Sequence, residues 1–463
     1  MPFLMPFLMP FLMPFLMPFS MPPNRFVQAV SLLEFYRVSL YKCPAFGTCP
    51  KTPQLLSGTL KKLLIHQFFR KLRPMYKIQT FNQISDKGLS RFPRQEYQVA
   101  QDLKEADAIL VRSHKLGVTN LNANLKAVAR AGAGVNNIPV EDYTRHGVVV
   151  FNTPGANANA VKELLLCGLL LASRGVLQGL NWVNTLSPQT PYAELNQLLE
   201  AEKQRFKGGE LAGKTIGVVG LGAIGALVAD VAIQLGMKVL GYDPALSVDA
   251  AWRVANQVEK QENLTSLISR SDYVTLHLPV LDNTRNLIDR KIINYFKTGA
   301  VLLNFSRDAI VDNGALLEGL NSGRLSCYVS DFPTPELLGH PKTILMPHIG
   351  ASTDEAEDNC AVMAVDQLRD FLENGNIRNS VNFPNLTLER TVGSRIAIVN
   401  QNVPGMLGQI LSVLAERDIN VGDMLNKSRA DIAYNLIDVE GEVSADTLAD
   451  IRAIEHVIKA WTI

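Results

Sequence analysis

Three residues of this sequence have the types and spacing to move a proton and a hydride between them. Arg307 in Asn304-Phe-Ser-Arg-Asp-Ala-Ile-Val-Asp312, Glu336 in Asp331-Phe-Pro-Thr-Pro-Glu336 and His348 in Met346-Pro-His-Ile-Gly-Ala-Ser-Thr353 each fall just past the end of a predicted strand. A guanidinium offers a fork of donors that holds a carboxylate and polarises a reacting oxygen. An imidazole titrates near neutrality and can take up a hydroxyl proton. A carboxylate paired with that imidazole raises its pKa and keeps it protonated for the reverse direction. Such a trio suits oxidation of a 2-hydroxy acid, with Arg307 as anion anchor, His348 as base and Glu336 as its partner. His277 in Leu276-His-Leu-Pro279 is the rival base, whereas His66, His114, His146, His340 and His456 have no comparable setting.

A hydride needs an acceptor, and the segment Thr215-Ile-Gly-Val-Val-Gly220-Leu-Gly222-Ala-Ile-Gly225 supplies a site for one. Gly220 permits a tight turn out of a strand, Gly222 lets the backbone approach a pyrophosphate, and Gly225 lets the following helix lie close to the sheet. A second strand ends at Tyr242-Asp243, where a carboxylate can bond ribose hydroxyls and repel a 2′-phosphate, so the pattern predicts NAD rather than NADP. The stretch Gly208 to Thr215 also matches the phosphate-binding loop of ATPases, but that motif needs a helix at Lys214-Thr215 and the pattern predicts a strand there.

The elements that must position these groups alternate between short apolar runs and helical patterns. Tyr76–Phe81, Ala108–Arg112, Leu125–Arg130 and Val148–Phe151 form one series, and runs from Thr215 through Val239–Tyr242, Tyr273–His277, Ala300–Asn304, Ser326–Ser330 and Thr343–Met346 form another. This alternation predicts two doubly wound parallel α/β sheets with a cleft between them. The long apolar stretch from Asn159 to Ser173 reads as a buried helix leaving the first domain. Residues after Arg395 read strand, helix, strand, strand, helix, strand, a ferredoxin-like βαββαβ order. The expected organisation is therefore an extension over 1–74, a discontinuous substrate domain over 75–175 and 352–375, a nucleotide domain over 176–351, a linker over 376–393 and a small third domain over 394–463.

Composition bounds the partners. The 463 residues carry a formal charge of +1, which gives no general electrostatic reason to bind nucleic acid or an anionic membrane. Five cysteines at irregular spacing (Cys43, Cys49, Cys167, Cys327, Cys360) suit a reducing, cytoplasmic setting, with neither a disulfide framework nor a metal site expected. The first twenty residues repeat Met-Pro-Phe-Leu, whose prolines prevent an ordinary helix, and residues 21–74 set nine Lys and Arg against Glu34. That bias fits an organellar transit segment or a mis-assigned start, and in either case the segment is excluded from the fold.

Taken together, the motifs around Gly220, Arg307, Glu336 and His348 resemble the D-isomer-specific 2-hydroxyacid dehydrogenase family over about Met75 to Val381. The resemblance implies catalytic roles for Arg307, Glu336 and His348. It implies cofactor contacts at Gly220, Gly222, Ala223, Ile224, Gly225, Asp243, Leu278, Phe305, Ser306, Arg307, Asp331, His348, Ile349, Gly350 and Ala351. It implies substrate contacts at Arg112, Ser113, Arg130, Gly132, Ala133 and Gly134. The acidic motif departs from the common Asp-Val-Phe-x-x-Glu in having Phe332 directly after Asp331 and two prolines, and the interval from Glu336 to His348 is short.

The tail resembles an ACT domain through Ile396-Ala-Ile-Val-Asn-Gln-Asn402-Val-Pro-Gly405-Met-Leu. In this family an attached ACT domain implies 3-phosphoglycerate as substrate, serine synthesis as the setting, a homo-oligomer and L-serine as effector, with effector contacts aligned on Asn400, Asn402 and Asn420. Other D-2-hydroxy acids (lactate, glycerate, a branched-chain acid) and a non-catalytic NAD-responsive binding protein are the alternatives.

Overall fold

The computed structural model describes residues 75–391 and 393–463. The expectations about residues 1–74, including Cys43, Cys49 and His66, lie outside the described residues. Strands β1 (Tyr76–Phe81), β2 (Tyr97–Ala100), β3 (Ala108–Val111), β4 (Ala127–Arg130) and β5 (Val149–Phe151) form a parallel sheet in the order β2-β1-β3-β4-β5. Its central strands are apolar on both faces, as a parallel sheet covered by helices requires.

The second parallel sheet holds β6 (Thr215–Val219), β7 (Lys238–Tyr242), β8 (Glu259–Lys260), β9 (Tyr273–Leu276), β10 (Ala300–Asn304), β11 (Leu325–Ser330) and β12 (Thr343–Leu345). Their order is β12-β11-β10-β9-β6-β7-β8, so the chain reverses direction of travel between β6 and β9. In open α/β sheets that switch point is where ligands bind, beyond the carboxyl ends of the strands. The edge strands β2 and β8 escape a reading by periodicity because they are short and partly polar. A strand does begin at Thr215, which rules out the ATPase-type loop geometry.

Two long helices cross between the sheets. The helix Ala158–Ser173 was expected with the first domain, but Val161, Leu165 and Leu169 pack beneath β10 and β11 of the second sheet. Its nearly uniform apolarity says that it is buried without saying against what. The helix Asp354–Asn374 returns in the opposite sense. Thr353 caps it by accepting from the Ala356 N–H at 3.1 Å, three acids occupy its first turn, and Gly375 ends it in the left-handed region at φ 75°. Its stripe Ala361, Ala364, Val365, Leu368, Phe371 and Leu372 covers the first sheet.

The third sheet is antiparallel, β14-β15-β13-β16, from β13 (Ser394–Gln401), β14 (Val421–Arg429), β15 (Ile432–Val439) and β16 (Val457–Thr462). One face carries the helices Met406–Ala415 and Ala445–Ala453, completing the expected βαββαβ order. The other face, with Val399, Tyr434, Leu436 and Trp461, joins the core of the first sheet around Phe371 and Phe383. Residues 376–393 are accordingly no loose linker. Ile377 and Leu386 bridge each other, and Ile377, Phe383 and Leu386 are fully buried, because the third sheet closes over them. Among the described residues no helix is long and apolar enough to cross a membrane.

Candidate active site

The turn after β6 is shaped by its glycines. Gly220 has φ 91°, and a Cβ there would come 2.4 Å from the His277 carbonyl oxygen at the end of β9. A Cβ on Gly225 would come 1.9 Å from the Gly220 carbonyl oxygen, so only glycine lets the helix Ala223–Gln234 sit this close to the strand. Gly222 differs from both: a Cβ there would meet nothing within 4 Å. Two glycines thus pack protein against protein, while the third faces open space at a helix N-terminus, where an anionic pyrophosphate fits. Asp243 stands beside this turn, its carboxylate accepting from the Leu221 and Ala245 N–H groups at 2.9 Å each. The residues present fit a dinucleotide.

Around this turn the other expected cofactor positions divide. Leu278 borders the Gly220 turn, and Ser306 ties β10 to β9, donating to the Leu276 carbonyl and accepting from the Leu278 N–H. The Phe305 side chain is buried beneath the helix Ala158–Ser173 near Gly168, so a contact from this position to a cofactor would come from its backbone. His277, just past β9, has Nε2 3.0 Å from the Thr275 hydroxyl and Nδ1 enclosed without a partner. Burial pushes its pKa down to about 3, so it is neutral in ordinary conditions and unsuited to act as the base.

Arg307 and His348 each lie against the same aromatic ring. The Arg307 Cζ lies 5.5 Å from the centroid of Phe332, and the His348 ring lies 4.7 Å from it at 51°. Both residues are exposed. His348 sits at φ 58°, and the backbone after it is clamped by buried Asp331, whose Oδ1 and Oδ2 accept from the Ile349 and Gly350 N–H groups at 2.8 and 2.7 Å. A Cβ on Gly350 would lie 2.8 Å from that Oδ2, so the clamp needs glycine there.

Glu336 departs from expectation. Its carboxylate does not pair with His348; it accepts from Asn313 Nδ2 at 3.3 Å, and its own backbone N–H and Thr334 hold its pKa below the usual range. The cause is local. Pro333 and Pro335 stiffen the loop, and Glu336 falls inside the turn Pro335–Leu337, pointing toward the helix Asn313–Asn321. The sequence treated Phe332 only as a departure from a motif; its signal was an aromatic directly after the buried aspartate.

The first sheet faces this cluster with two more arginines. Arg130 ends β4, its Nε donating to the Arg112 carbonyl at 2.9 Å and its Nη1 to the Gly134 carbonyl. Burial, then the neighbouring cations Arg307 and Arg112, lower its pKa. Gly134 lies between the sheets: a Cβ there would be 3.3 Å from both Arg130 Nη1 and Arg307 Nη2. A Cβ on Gly132 would lie 2.8 Å from Arg130 Nη1, while the Asn152 side chain holds the Ala133 carbonyl at 2.6 Å. Arg112 is ion-paired with Glu357, and the Ser113 N–H donates to Asn82 at 3.0 Å. Arg112, Arg130 and Arg307 therefore converge with one paired carboxylate among them.

Of the effector positions, Asn400 is corrected. It is buried, its Oδ1 accepting from Asn435 Nδ2 at 2.7 Å and its Nδ2 donating to the Gln401 carbonyl at 2.6 Å, so its polar atoms serve the sheet. Asn402 donates to the Ala430 carbonyl at 3.1 Å and, like Asn420, is exposed.

Comparison with known proteins decides the family. Residues 178–350 match the D-isomer specific 2-hydroxyacid dehydrogenase NAD binding domain. The chain is 32% identical over 377 residues to the D-3-phosphoglycerate dehydrogenase of Methanocaldococcus jannaschii, covering 78% of this chain and 68% of that protein. It is 30% identical over 379 residues to the Escherichia coli K12 D-3-phosphoglycerate dehydrogenase, covering 78% and 88%.

The chain belongs to the D-isomer-specific 2-hydroxyacid dehydrogenase family.

It is an NAD-dependent oxidoreductase. The fold of this dehydrogenase is shared with NAD+-bound 3-phosphoglycerate dehydrogenase of Entamoeba histolytica (TM-score 0.53, 24% identity, 67% of this chain and 99% of that one). It is shared also with the holo form of Rhodotorula graminis D-mandelate dehydrogenase (TM-score 0.59, 23% identity, 68% and 100%).

Proposed function

We propose that this dehydrogenase interconverts 3-phosphoglycerate and 3-phosphohydroxypyruvate, the opening step of serine synthesis. The observation that carries this reading is the convergence of Arg130 and Arg307 at Gly134, with Arg112 close enough to Arg130 to act on its charge, which suits a substrate bearing both a carboxylate and a phosphate. The relatives named D-3-phosphoglycerate dehydrogenase support it. NAD, when bound along the Gly220–Gly225 turn, supplies the hydride acceptor. Arg307 anchors the carboxylate and stabilises charge on the C2 oxygen. His348 takes the hydroxyl proton in oxidation and returns it in reduction.

Several finer statements belong to the same reading. The division at residues 175, 351, 375 and 393 is kept as a functional one, with the third sheet as an ACT-type module that senses L-serine through Asn402 and Asn420. Exposed Leu170, Val176, Leu180, Val183, Tyr192 and Leu198 support a homo-oligomer in which a second copy covers this apolar arm. Free Cys167, Cys327 and Cys360 accord with a reducing cytoplasm.

One observation favours a second reading, an unphosphorylated 2-hydroxy acid: Arg112 is already neutralised by Glu357. Oxidation of NADH on adding 3-phosphohydroxypyruvate, pyruvate or hydroxypyruvate to the full chain separates the two. Selectivity for the phosphorylated acid is expected; equal or faster turnover of pyruvate or hydroxypyruvate overturns the assignment.

A further inference from the structure

We infer that Glu357 is a specificity-determining positioning residue: it occupies Arg112 as an internal counter-anion that the phosphate of an incoming substrate must displace. This rests on the proposed function, because it assigns Arg112 to the phosphate. Arg112 directly follows β3 and is placed by its backbone, its carbonyl accepting from Arg130 Nε at 2.9 Å and from Asn137 Nδ2 at 3.4 Å. Its guanidinium reaches across to Glu357 in the first turn of the helix Asp354–Asn374, and each side chain of the pair is 39% exposed. The pair thus joins the end of a strand of the first sheet to the helix that begins just beyond the His348 loop.

The helix does not need Glu357 to stay docked. Asp358 on the same helix bonds Ser85 and Lys87, and Asp366 holds Arg91 in a two-pronged pair at 2.5 and 2.9 Å. Gly88 packs so closely that a Cβ on it would lie 2.7 Å from the Ala361 backbone, and the apolar stripe from Ala361 to Leu372 covers the first sheet. Those acids fasten cations that have no part in the arginine cluster. Glu357 instead meets the arginine that stands close enough to Arg130 to act on its charge.

The charges decide what this does. With no substrate bound, Arg112, Arg130 and Arg307 repel one another, and Glu357 relieves that repulsion. A guanidinium fork binds a carboxylate and a phosphate through the same donors, so Glu357 and the substrate phosphate compete for Arg112. A half-exposed ion pair is worth little, which leaves it exchangeable. Once the phosphate is seated, the released carboxylate is a like charge beside it. Glu357 therefore holds down affinity for a phosphorylated acid. An unphosphorylated acid, held by its carboxylate at Arg130 and Arg307, leaves the pair closed.

The test sets Glu357→Gln, which keeps size and hydrogen bonding but not charge, beside Arg112→Met and the double variant, all in the full chain. The first readout is the ratio of kcat/KM for 3-phosphohydroxypyruvate to that for hydroxypyruvate. Glu357→Gln is expected to lift this ratio by about two- to fivefold, through KM for the phosphorylated acid. It should add nothing in the Arg112→Met background. The second readout is binding of inorganic phosphate by phosphorus NMR, with saturating NAD so that the dinucleotide turn is filled. Glu357→Gln is expected to tighten phosphate by a similar factor, and Arg112→Met to cancel the gain. An equal gain for both acids, a gain that survives in the Arg112→Met background, or a lowered melting temperature with neither readout improved overturns the inference. The phosphate arm needs no turnover, so tighter phosphate in an enzyme that prefers an unphosphorylated acid sustains the role of Glu357 while sinking the proposed function. Selective turnover of the phosphorylated acid with both readouts unmoved by Glu357→Gln does the reverse.

Discussion

Arg395 on β13 and Asp438 on β15 form a two-pronged ion pair with almost no solvent access, Nε to Oδ1 at 2.5 Å and Nη2 to Oδ2 at 2.8 Å. Burial alone would raise the Asp438 carboxyl, but bonds from Arg395 and Thr391 outweigh it and hold its pKa below the usual range. The same guanidinium donates to the Asn374, Leu388 and Glu389 carbonyls, fastening the third sheet to the end of the long helix. Arg395→Met should lower unfolding stability by about 3–5 kcal/mol, because it strands a buried carboxylate, while adding Asp438→Leu should recover part of the loss. Urea unfolding of the two variants checks this; a cost below about 1 kcal/mol for Arg395→Met alone would show the pair to be expendable.

The two kinds of glycine in the dinucleotide turn should part on substitution. Gly222→Ala faces open space at φ −69° and should leave the melting temperature unchanged while weakening NAD by roughly tenfold or more. Gly225→Ala drives a methyl into the Gly220 carbonyl and should destabilise the fold itself. Thermal unfolding with and without NAD distinguishes them, and a Gly222→Ala protein with wild-type NAD affinity would remove the pyrophosphate from this turn.

His348→Ala should reduce kcat by about 10²- to 10⁴-fold, the usual worth of a positioned acid–base group, and leave NAD affinity nearly unchanged. Steady-state rates and cofactor titration by fluorescence measure both. Retained turnover would exclude His348 from the chemistry.

If Arg112 holds the phosphate of the proposed substrate, Arg112→Met should raise KM for 3-phosphohydroxypyruvate by about tenfold and leave KM for hydroxypyruvate unaltered. An equal rise for both substrates would assign Arg112 to the carboxylate or to the fold.

Lys459 on β16 offers a pH prediction. Its amino group bonds the Leu125 carbonyl of the first domain, and burial, then Lys126, push its pKa from 10.5 to about 8. A depressed folded-state value means that between these two pKa values the unfolded chain binds a proton the folded chain has released. Stability from this group therefore rises with pH across that window, by on the order of 1–3 kcal/mol, and is lost as pH falls through the folded pKa. Unfolding at about pH 7 and about pH 10 should show this rise in the wild type relative to Lys459→Met. The same pH dependence in both proteins would contradict it.

The parts of this protein legible in its sequence are those governed by local rules. The two parallel sheets follow from apolar runs alternating with helical periods. The expected roles of Gly220, Gly222 and Gly225 follow from what a missing Cβ allows, and the structure sets Gly220 and Gly225 against backbone carbonyls while leaving Gly222 open. Arg307 and His348 were found because both stand just past strand ends at the switch-point side of one sheet.

What the sequence could not supply are pairings between segments distant along the chain. Glu336 and His348 suit each other chemically, yet two prolines turn the glutamate toward Asn313, and the contact to His348 comes from Phe332. Asn400 has the chemistry of a ligand contact, but its strand register buries it against Asn435. Residues 376–393 have the composition of a linker and become core because the third sheet folds back over Phe383. Local backbone preferences and burial patterns are written into neighbouring residues, so the sequence alone determined the sheets and the glycine turn after β6, and it singled out Arg307 and His348 as the candidate anion-binding and acid–base groups. Side-chain partners depend on packing between separate elements, so only the tertiary structure decided which carboxylate, which ring and which face each group would meet.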